Sequence, residues 1–89
     1  MKKRTAVRPH NPNLSFECIG IYVAAGAMGW EWYVMEDQGD GVMYGFVQSP
    51  LCPEGEFGCF SVNEIGQFGA KFTDDLRDVL PPQGYVWKD

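Results

Sequence analysis

The 89-residue sequence predicts an α+β fold, in which an antiparallel four-stranded sheet is followed by one or two short helices on one face. Runs of aromatic and β-branched residues, separated by short turns, extend from Phe16 to Val62 and indicate strands. The pattern changes at Ser61, where a helix-capping sequence begins. A chain of this length holds one core, so residues 14–89 are expected to form a single α+β domain.

The predicted strands form a meander, because short connections favour antiparallel pairing of consecutive strands. They are expected at Phe16–Val23, Trp30–Glu36, Val42–Gln48 and Glu56–Phe60. The segment Asp37–Gly41 is a strong hairpin signal, since Asp and Gly tolerate positive φ. Ser49–Gly55, which contains two prolines, is predicted to be a loop.

Alternation along the strands predicts which rings fill the core. One face of the sheet is expected to bury Trp30, Trp32, Tyr44 and Phe46. The mixed opposite face and the nearby acidic cluster suit a protein partner. This candidate partner surface consists of Glu31, Tyr33, Met35, Met43, Glu54 and Glu56. Stacking of single-stranded bases on the aromatic face is the alternative, which the acidic body of the chain disfavours.

Two helices are predicted after the strands. Ser61 and Glu64 match a capping box, so a short helix is expected from Val62 to about Phe68. A second helical turn, Asp74–Leu80, carries acidic residues at its start and an apolar stripe. Gly84–Trp87 is apolar enough to return as a fifth strand or to dock on the core.

Charge is distributed unevenly along the chain. Four of the seven basic residues, Lys2, Lys3, Arg4 and Arg8, crowd residues 1–13, which are predicted to form a flexible basic arm able to bind an anion. The other three basic residues and all twelve acids lie in residues 9–89, whose formal charge is therefore −9. An acidic body favours basic partners and repels nucleic acid except at the arm.

The residue types that carry catalysis are sparse. The single histidine, His10, lies in the predicted arm, so it is not expected to activate a nucleophile. Cys18, Cys52 and Cys59 include no C-x-x-C pair and are interpreted as free thiols. No phosphate-binding glycine motif is present. No metal, cofactor or catalytic residue is therefore expected, and an enzyme would require a composite site in an oligomer.

The sequence also bears on localisation. No run reaches the ~18 apolar residues that a membrane helix needs. The basic start is not followed by an apolar stretch, so it is not a secretory signal. The protein is therefore expected to be cytoplasmic, with no membrane partner.

The stretch Gly29–Gly66 resembles a known family. The residues that carry the resemblance are W-E-W-Y-V-M-E at Trp30–Glu36, Y-G-F-V at Tyr44–Val47, and E-F-G-C-F-S-V-N-E-I at Glu56–Ile65. They are similar to a domain of unknown function encoded by phages, plasmids and integrative elements, whose pattern is near W-x-W-Y-x-x-E, F-G-x-V and E-x-G-x-F-S-x-x-E-[LI]. The resemblance implies an accessory protein of a mobile element.

Two functional hypotheses follow. The leading one is a non-enzymatic accessory protein of a phage or mobile genetic element, which binds an unidentified host or mobile-element protein through its acidic surface, with a homodimer also open. The alternative is a small module that binds nucleic acid or a ligand through the basic arm and the sheet aromatics.

Overall fold

A computed structural model describes residues 3–24 and 29–88. The described residues form eight strands and one α-helix: β1 (Arg4–Val7), β2 (Phe16–Cys18), β3 (Gly20–Ala24), β4 (Glu31–Gly39), β5 (Val42–Ser49), β6 (Cys52–Ser61), α1 (Val62–Gly66), β7 (Ala70–Thr73) and β8 (Val86–Lys88). A 3-10 turn spans Pro12–Leu14. Strands hold 56% of the described residues and helices 10%, so the protein is mostly β and the predicted α+β class is wrong.

The strands form two antiparallel sheets. The larger has the order β6-β5-β4-β3-β7, and the smaller has the order β2-β1-β8. Strands β3 to β6 are consecutive antiparallel neighbours, but the larger sheet has a fifth strand, β7, at a position that the sequence did not indicate. The predicted first strand, Phe16–Val23, is divided at Ile19, where the chain passes from the smaller sheet to the larger one.

The predicted basic arm contains a strand. Arg4–Val7 is the central strand of the smaller sheet, and Ala6 is fully buried. The Arg4 guanidinium lies 4.8 Å from the centre of the Trp87 ring and donates a hydrogen bond of 3.0 Å to the Leu76 carbonyl. The prediction of a flexible arm is therefore wrong for Arg4–Val7, which pairs with β2 on one side and with the remote β8 on the other.

The neighbouring basic residues Lys3 and Arg8 also contact other side chains. The Arg8 guanidinium lies 5.4 Å from the centre of the Tyr85 ring. The Lys3 ammonium lies 3.6 Å from a Glu17 carboxylate oxygen. Lys2 lies outside the described residues. Lys3, Arg4 and Arg8 thus already contact groups of the smaller sheet and the segments beside it.

The main core lies between the two sheets. Its buried members are Ala6, Phe16, Cys18, Ile21, Tyr33, Phe46, Leu76 and Tyr85. Phe16 is central, since its ring packs within 5.5 Å, between ring centres, of Phe46, Phe57 and Tyr85. We call the side of the larger sheet that faces this core the inner face, and the opposite side the outer face.

The second predicted helix, Asp74–Leu80, is absent, because side-chain oxygens accept the hydrogen bonds of backbone amides in this segment. The Thr73 hydroxyl accepts a hydrogen bond from the Asp75 amide, and the Asp75 carboxylate accepts one from the Arg77 amide. Such local bonds compete with helix formation. The segment still places Leu76 in the main core, while Leu80, predicted to lie on an apolar helical stripe, is 78% exposed.

The first predicted helix is present and capped at the predicted residue. The Ser61 hydroxyl accepts a hydrogen bond of 3.2 Å from the Glu64 amide, as expected for an N-cap. The helix is shorter than predicted and is followed by a turn that ends at Gly69, where φ is +82°. Because β6 and β7 are opposite edges of the larger sheet, the segment 62–69 crosses the outer face.

The hairpin of β4 and β5 determines which side chains share a face. Its turn is the predicted Asp40-Gly41, with positive φ at both residues. Near the turn Glu36 pairs with Tyr44, but the register shifts at Met35, so that Trp32 pairs with Val47 and Tyr33 with Phe46. The register also shifts between Asp37 and Gly39, so alternation cannot be carried through the turn to decide which residues of β4 and β5 share a face.

The prediction that four aromatics share one face is consequently wrong. Trp32 lies on the outer face, whereas Tyr44 and Phe46 lie on the inner face with Tyr33. Trp32 and Phe46 are both buried, but in separate clusters, and Trp30 and Tyr44 are half-buried.

Candidate functional site

The outer face of the larger sheet carries a second apolar cluster. Its members are Ala24, Trp32 and Ile65, with Tyr22, Trp30, Val47, Phe60 and Ala70 packed against them. Ile65 is contributed by α1, which is only five residues long. A helix this short cannot cover a five-stranded sheet, so part of the aromatic surface stays accessible.

The accessible part forms an open groove of about 420 Å³, which we call the aromatic groove. It is lined by Trp30, Trp32, Cys59, Phe60, Glu64, Ile65, Gln67 and Phe68. The Trp30 and Trp32 rings stack, with 5.6 Å between their centres and an interplanar angle of 29°. Phe68 is 59% exposed. This volume falls within the ~300–1,000 Å³ of ligand-binding clefts, whose linings are also mostly apolar and aromatic.

Carboxylates lie in the lining of this groove and elsewhere on the same face. Glu64 is one of its lining residues, whereas none of them is Lys or Arg. Glu56 pairs with Val47 beside Trp32, and Asp37 pairs with Met43 beside Phe60, which places both carboxylates on the outer face. The aromatic groove therefore lies in a negatively charged part of the molecule.

The candidate partner surface predicted from the sequence is not a single surface. Tyr33 is fully buried, and its hydroxyl lies 3.4 Å from both a Glu31 carboxylate oxygen and the Leu80 carbonyl. Met35 packs against the main core. Met43 lies on the outer face, opposite Glu31 and Tyr33, because it is three residues before Phe46 on β5 and Phe46 pairs with Tyr33. Tyr33 is therefore a core residue, and its assignment to an exposed surface is wrong.

The three acidic residues of the predicted partner surface also lie in different places. Glu54 and Glu56 are exposed on β6, an edge strand of the larger sheet. Glu31 is half-buried on the inner face. Of the predicted residues, Met43 and Glu56 thus remain on the face that holds the aromatic groove.

Sequence reasoning missed Phe60 and Phe68 as site residues. The sequence does contain a pattern that indicates contact between Phe60 and Ile65. Phe60 directly precedes the Ser61 cap, and Ile65 lies four residues after that cap. These are the two positions of a hydrophobic staple, which fixes the direction in which the chain enters a helix. Phe60 packs against the cluster that contains Ile65, and both residues line the groove.

A second, smaller cavity of about 250 Å³ lies beside Glu31, Gln48 and Ser49. The Gln48 amide donates hydrogen bonds to the Pro53 and Gln83 carbonyls and accepts one from the Gln83 amide. Gln48 therefore links residue 83 and the start of β6 to β5. Its hydrogen bonds are made within the chain, which gives this side chain a structural role.

The Glu31 carboxyl is expected to make the stability of the folded state depend on pH. Burial raises the pKa of Glu31, and the hydrogen bond from Tyr33 opposes this effect in part. The folded state therefore favours the protonated acid, and the charged carboxylate destabilises it at neutral pH. We expect Glu31→Gln to raise the melting temperature at pH 7, and the gain to shrink as the pH falls towards ~4, the ordinary range of glutamate.

Thermal unfolding followed by circular dichroism between pH 4 and pH 8 measures this difference. Glu36→Gln is the matched control, because Glu36 is exposed on the same strand. A gain for Glu31→Gln that is constant across this pH range would contradict the assignment.

The three cysteines are free thiols in the structure. Cys18 is buried and its thiol donates a hydrogen bond of 3.1 Å to the Gly20 carbonyl. Burial raises the pKa of Cys18 to about 11 despite its backbone hydrogen bonds, so the thiol stays protonated at neutral pH. Among residues 3–24 and 29–88, no group of three or more His, Cys, Asp or Glu side chains is placed to hold a metal ion.

Comparisons with protein-family models, curated proteins and solved structures find no match for this chain. The resemblance of Gly29–Gly66 to a mobile-element family therefore stays a prediction. Within the part of the chain that the structure describes, no helix is long and apolar enough to cross a membrane.

Proposed function

We propose that this chain is a non-enzymatic interaction protein that binds a basic partner protein through the outer face of its larger sheet. The observation that carries the proposal is the aromatic groove, whose described lining combines accessible rings with the Glu64 carboxylate and includes no Lys or Arg. Aromatic rings supply most of the contact energy in many protein interfaces. Carboxylates add attraction to a basic partner and speed its association.

The proposed setting is the one that the sequence resemblance implies. The chain would act in the cytoplasm as an accessory protein of a phage or mobile element, on a host or element protein with a basic surface. The formal charge of −9 over residues 9–89 supports a basic partner.

The alternative, binding of single-stranded nucleic acid by the arm and the sheet aromatics, loses support from the geometry. Arg4 contacts Trp87 and Leu76, and Arg8 contacts Tyr85, beside the smaller sheet. The aromatic groove lies on the outer face of the larger sheet, across the main core from the smaller sheet. Phosphates held by these arginines would therefore lie away from the rings on which bases would stack.

A charge-neutralised variant tests the proposal. We expect Glu56→Gln with Glu64→Gln to weaken binding of a fluorescein-labelled decapeptide of alternating Arg and Ser about two- to thirtyfold, because each exposed charge pair contributes ~0.2–1 kcal/mol. Fluorescence anisotropy at 50 mM and 500 mM NaCl measures the affinity, and the unmodified protein should bind more weakly at the higher salt.

The matched control is Glu36→Gln with Asp78→Asn, which removes the same charge from exposed residues outside the outer face. If both double variants weaken binding equally, attraction to the net charge of the protein accounts for the affinity. The outer face would then not be the binding surface. If an Asp-Ser decapeptide binds as tightly as the Arg-Ser decapeptide, the proposal of a basic partner is wrong.

A further inference from the structure

The chain pairs two of its own arginines with aromatic rings. Arg4 lies over Trp87 at 4.8 Å and Arg8 lies over Tyr85 at 5.4 Å. A cation over the face of an aromatic ring within about 6 Å is attracted by the negative charge of the π-face. In the described structure these two aromatic rings therefore have cations supplied by the chain itself.

The aromatic groove has the same kind of rings without such a cation. Trp30, Phe60 and Phe68 line it, and none of its lining residues is basic. Glu64 adds a carboxylate to the same lining, where it can pair with a bound cation. Its rings and its charge are thus complementary to a positively charged group from outside the chain.

Arginine fits this site better than lysine does. A guanidinium is planar, so it can stack on an indole and also form two parallel hydrogen bonds with a carboxylate. Its aliphatic stem can lie along apolar surface such as Ile65 while the charged end stays near Glu64. An ammonium group is a more strongly hydrated point charge, so moving it out of water costs more hydration free energy.

We propose that the aromatic groove binds the side chain of one arginine from the partner protein, with the guanidinium against the Trp30 ring and paired with Glu64. This inference rests on the proposed function and names the group that is recognised. It predicts selectivity for arginine over a neutral side chain of the same shape, which general attraction between an acidic and a basic protein does not.

The test compares three peptides that differ at one position. A labelled decapeptide of Ser and Gly carries a single central Arg, Lys or citrulline, where citrulline keeps the shape of Arg without its charge. We expect the Arg peptide to bind about five- to thirtyfold more tightly than the citrulline peptide, since cation–π contact and a charge-assisted hydrogen bond together supply ~1–2 kcal/mol. The Lys peptide should lie between them.

Variants of the groove then locate the site. Trp30→Leu keeps an apolar side chain but removes the ring, and it should abolish the preference for Arg over citrulline. Phe68→Ala should weaken Arg binding without affecting folding, because Phe68 is 59% exposed and lies outside the core clusters. Phe72→Leu is the matched control, since Phe72 is a half-exposed aromatic on the outer face that does not line the groove.

The outcomes separate this inference from the proposed function. Equal affinity for the Arg and citrulline peptides overturns the arginine site, while the charge-dependent binding of the Arg-Ser decapeptide can still stand. Absence of binding to every basic peptide overturns both. Binding of a single-stranded oligonucleotide that is weakened by Trp30→Leu, with no binding of the Arg peptide, also overturns both and assigns the groove to base stacking.

Discussion

Replacing Phe46 with Ala is expected to lower the free energy of unfolding by about 3–5 kcal/mol. Phe46 is 2% exposed, and its ring packs against Phe16, Phe57 and Tyr85 at 4.9–5.2 Å between centres. Removing it leaves a cavity at the contact between the two sheets. Because small domains have a total stability of ~5–15 kcal/mol, this loss is a large part of the whole. Urea denaturation followed by circular dichroism measures it.

Phe57→Ala is the control for this change. Phe57 pairs with Phe46 across the sheet and also packs against Phe16, but it is 38% exposed. Less buried area and less cavity should make its cost roughly half that of Phe46→Ala. If the two variants lose equal stability, Phe46 does not have the central place in the core that the structure gives it.

Gly45→Ala is expected to be the second most damaging change, with a loss of about 3 kcal/mol. A Cβ at Gly45 would overlap the carbonyl oxygen of Tyr33 on the adjacent strand, and it would lie 3.2 Å from the Val34 Cα. Both neighbours are backbone, so no side chain can rotate away. β5 is hydrogen-bonded on both sides, which leaves little freedom for the strand to shift.

Gly58→Ala offers a matched comparison, because Gly58 pairs directly with Gly45 on the edge strand β6. A Cβ at Gly58 meets nothing within 4 Å. Alanine restricts the unfolded chain more than glycine does, so this variant should be unchanged or more stable by about 0.5 kcal/mol. Chemical denaturation of both variants checks the contrast, and equal losses would contradict the close approach at Gly45.

Features that depend on a few adjacent residues could be predicted from the sequence. The Asp40-Gly41 turn has the positive φ values that its residue types favour. Ser61 caps α1 through the Glu64 amide, as its spacing indicates. Each of these features is decided by local backbone geometry and needs no information from the rest of the chain.

The second sheet could not be predicted, because it is built from remote segments. β1 pairs with β8, and the register joins Thr5 to Lys88. Pairing preferences between strands are too weak to identify partners this far apart in the sequence. The missing helix at 74–80 has a different cause, since Thr73 and Asp75 bond to the backbone in ways that composition alone does not reveal.

The aromatic groove could be predicted only in part. Trp32 was expected to be buried, and it is, but it lies on the opposite face of the sheet from Phe46. The register of β4 against β5 shifts twice, between Asp37 and Gly39 and again at Met35, and Trp32 packs beside Trp30, Phe60 and the short helix. Register shifts of this kind leave no clear mark in the alternation of apolar residues, so the sequence did not show which rings share a face.

The pairing of β1 with β8 has a consequence for the order of assembly. During synthesis Arg4–Val7 emerges before every strand of the larger sheet, yet one of its two neighbours, Val86–Lys88, emerges after all of them. Until then β1 can pair with β2 alone, and a two-stranded ribbon is marginal in water. Closing a loop of about 80 residues also slows the search for the native pairing. The larger sheet can thus form before the smaller sheet is completed.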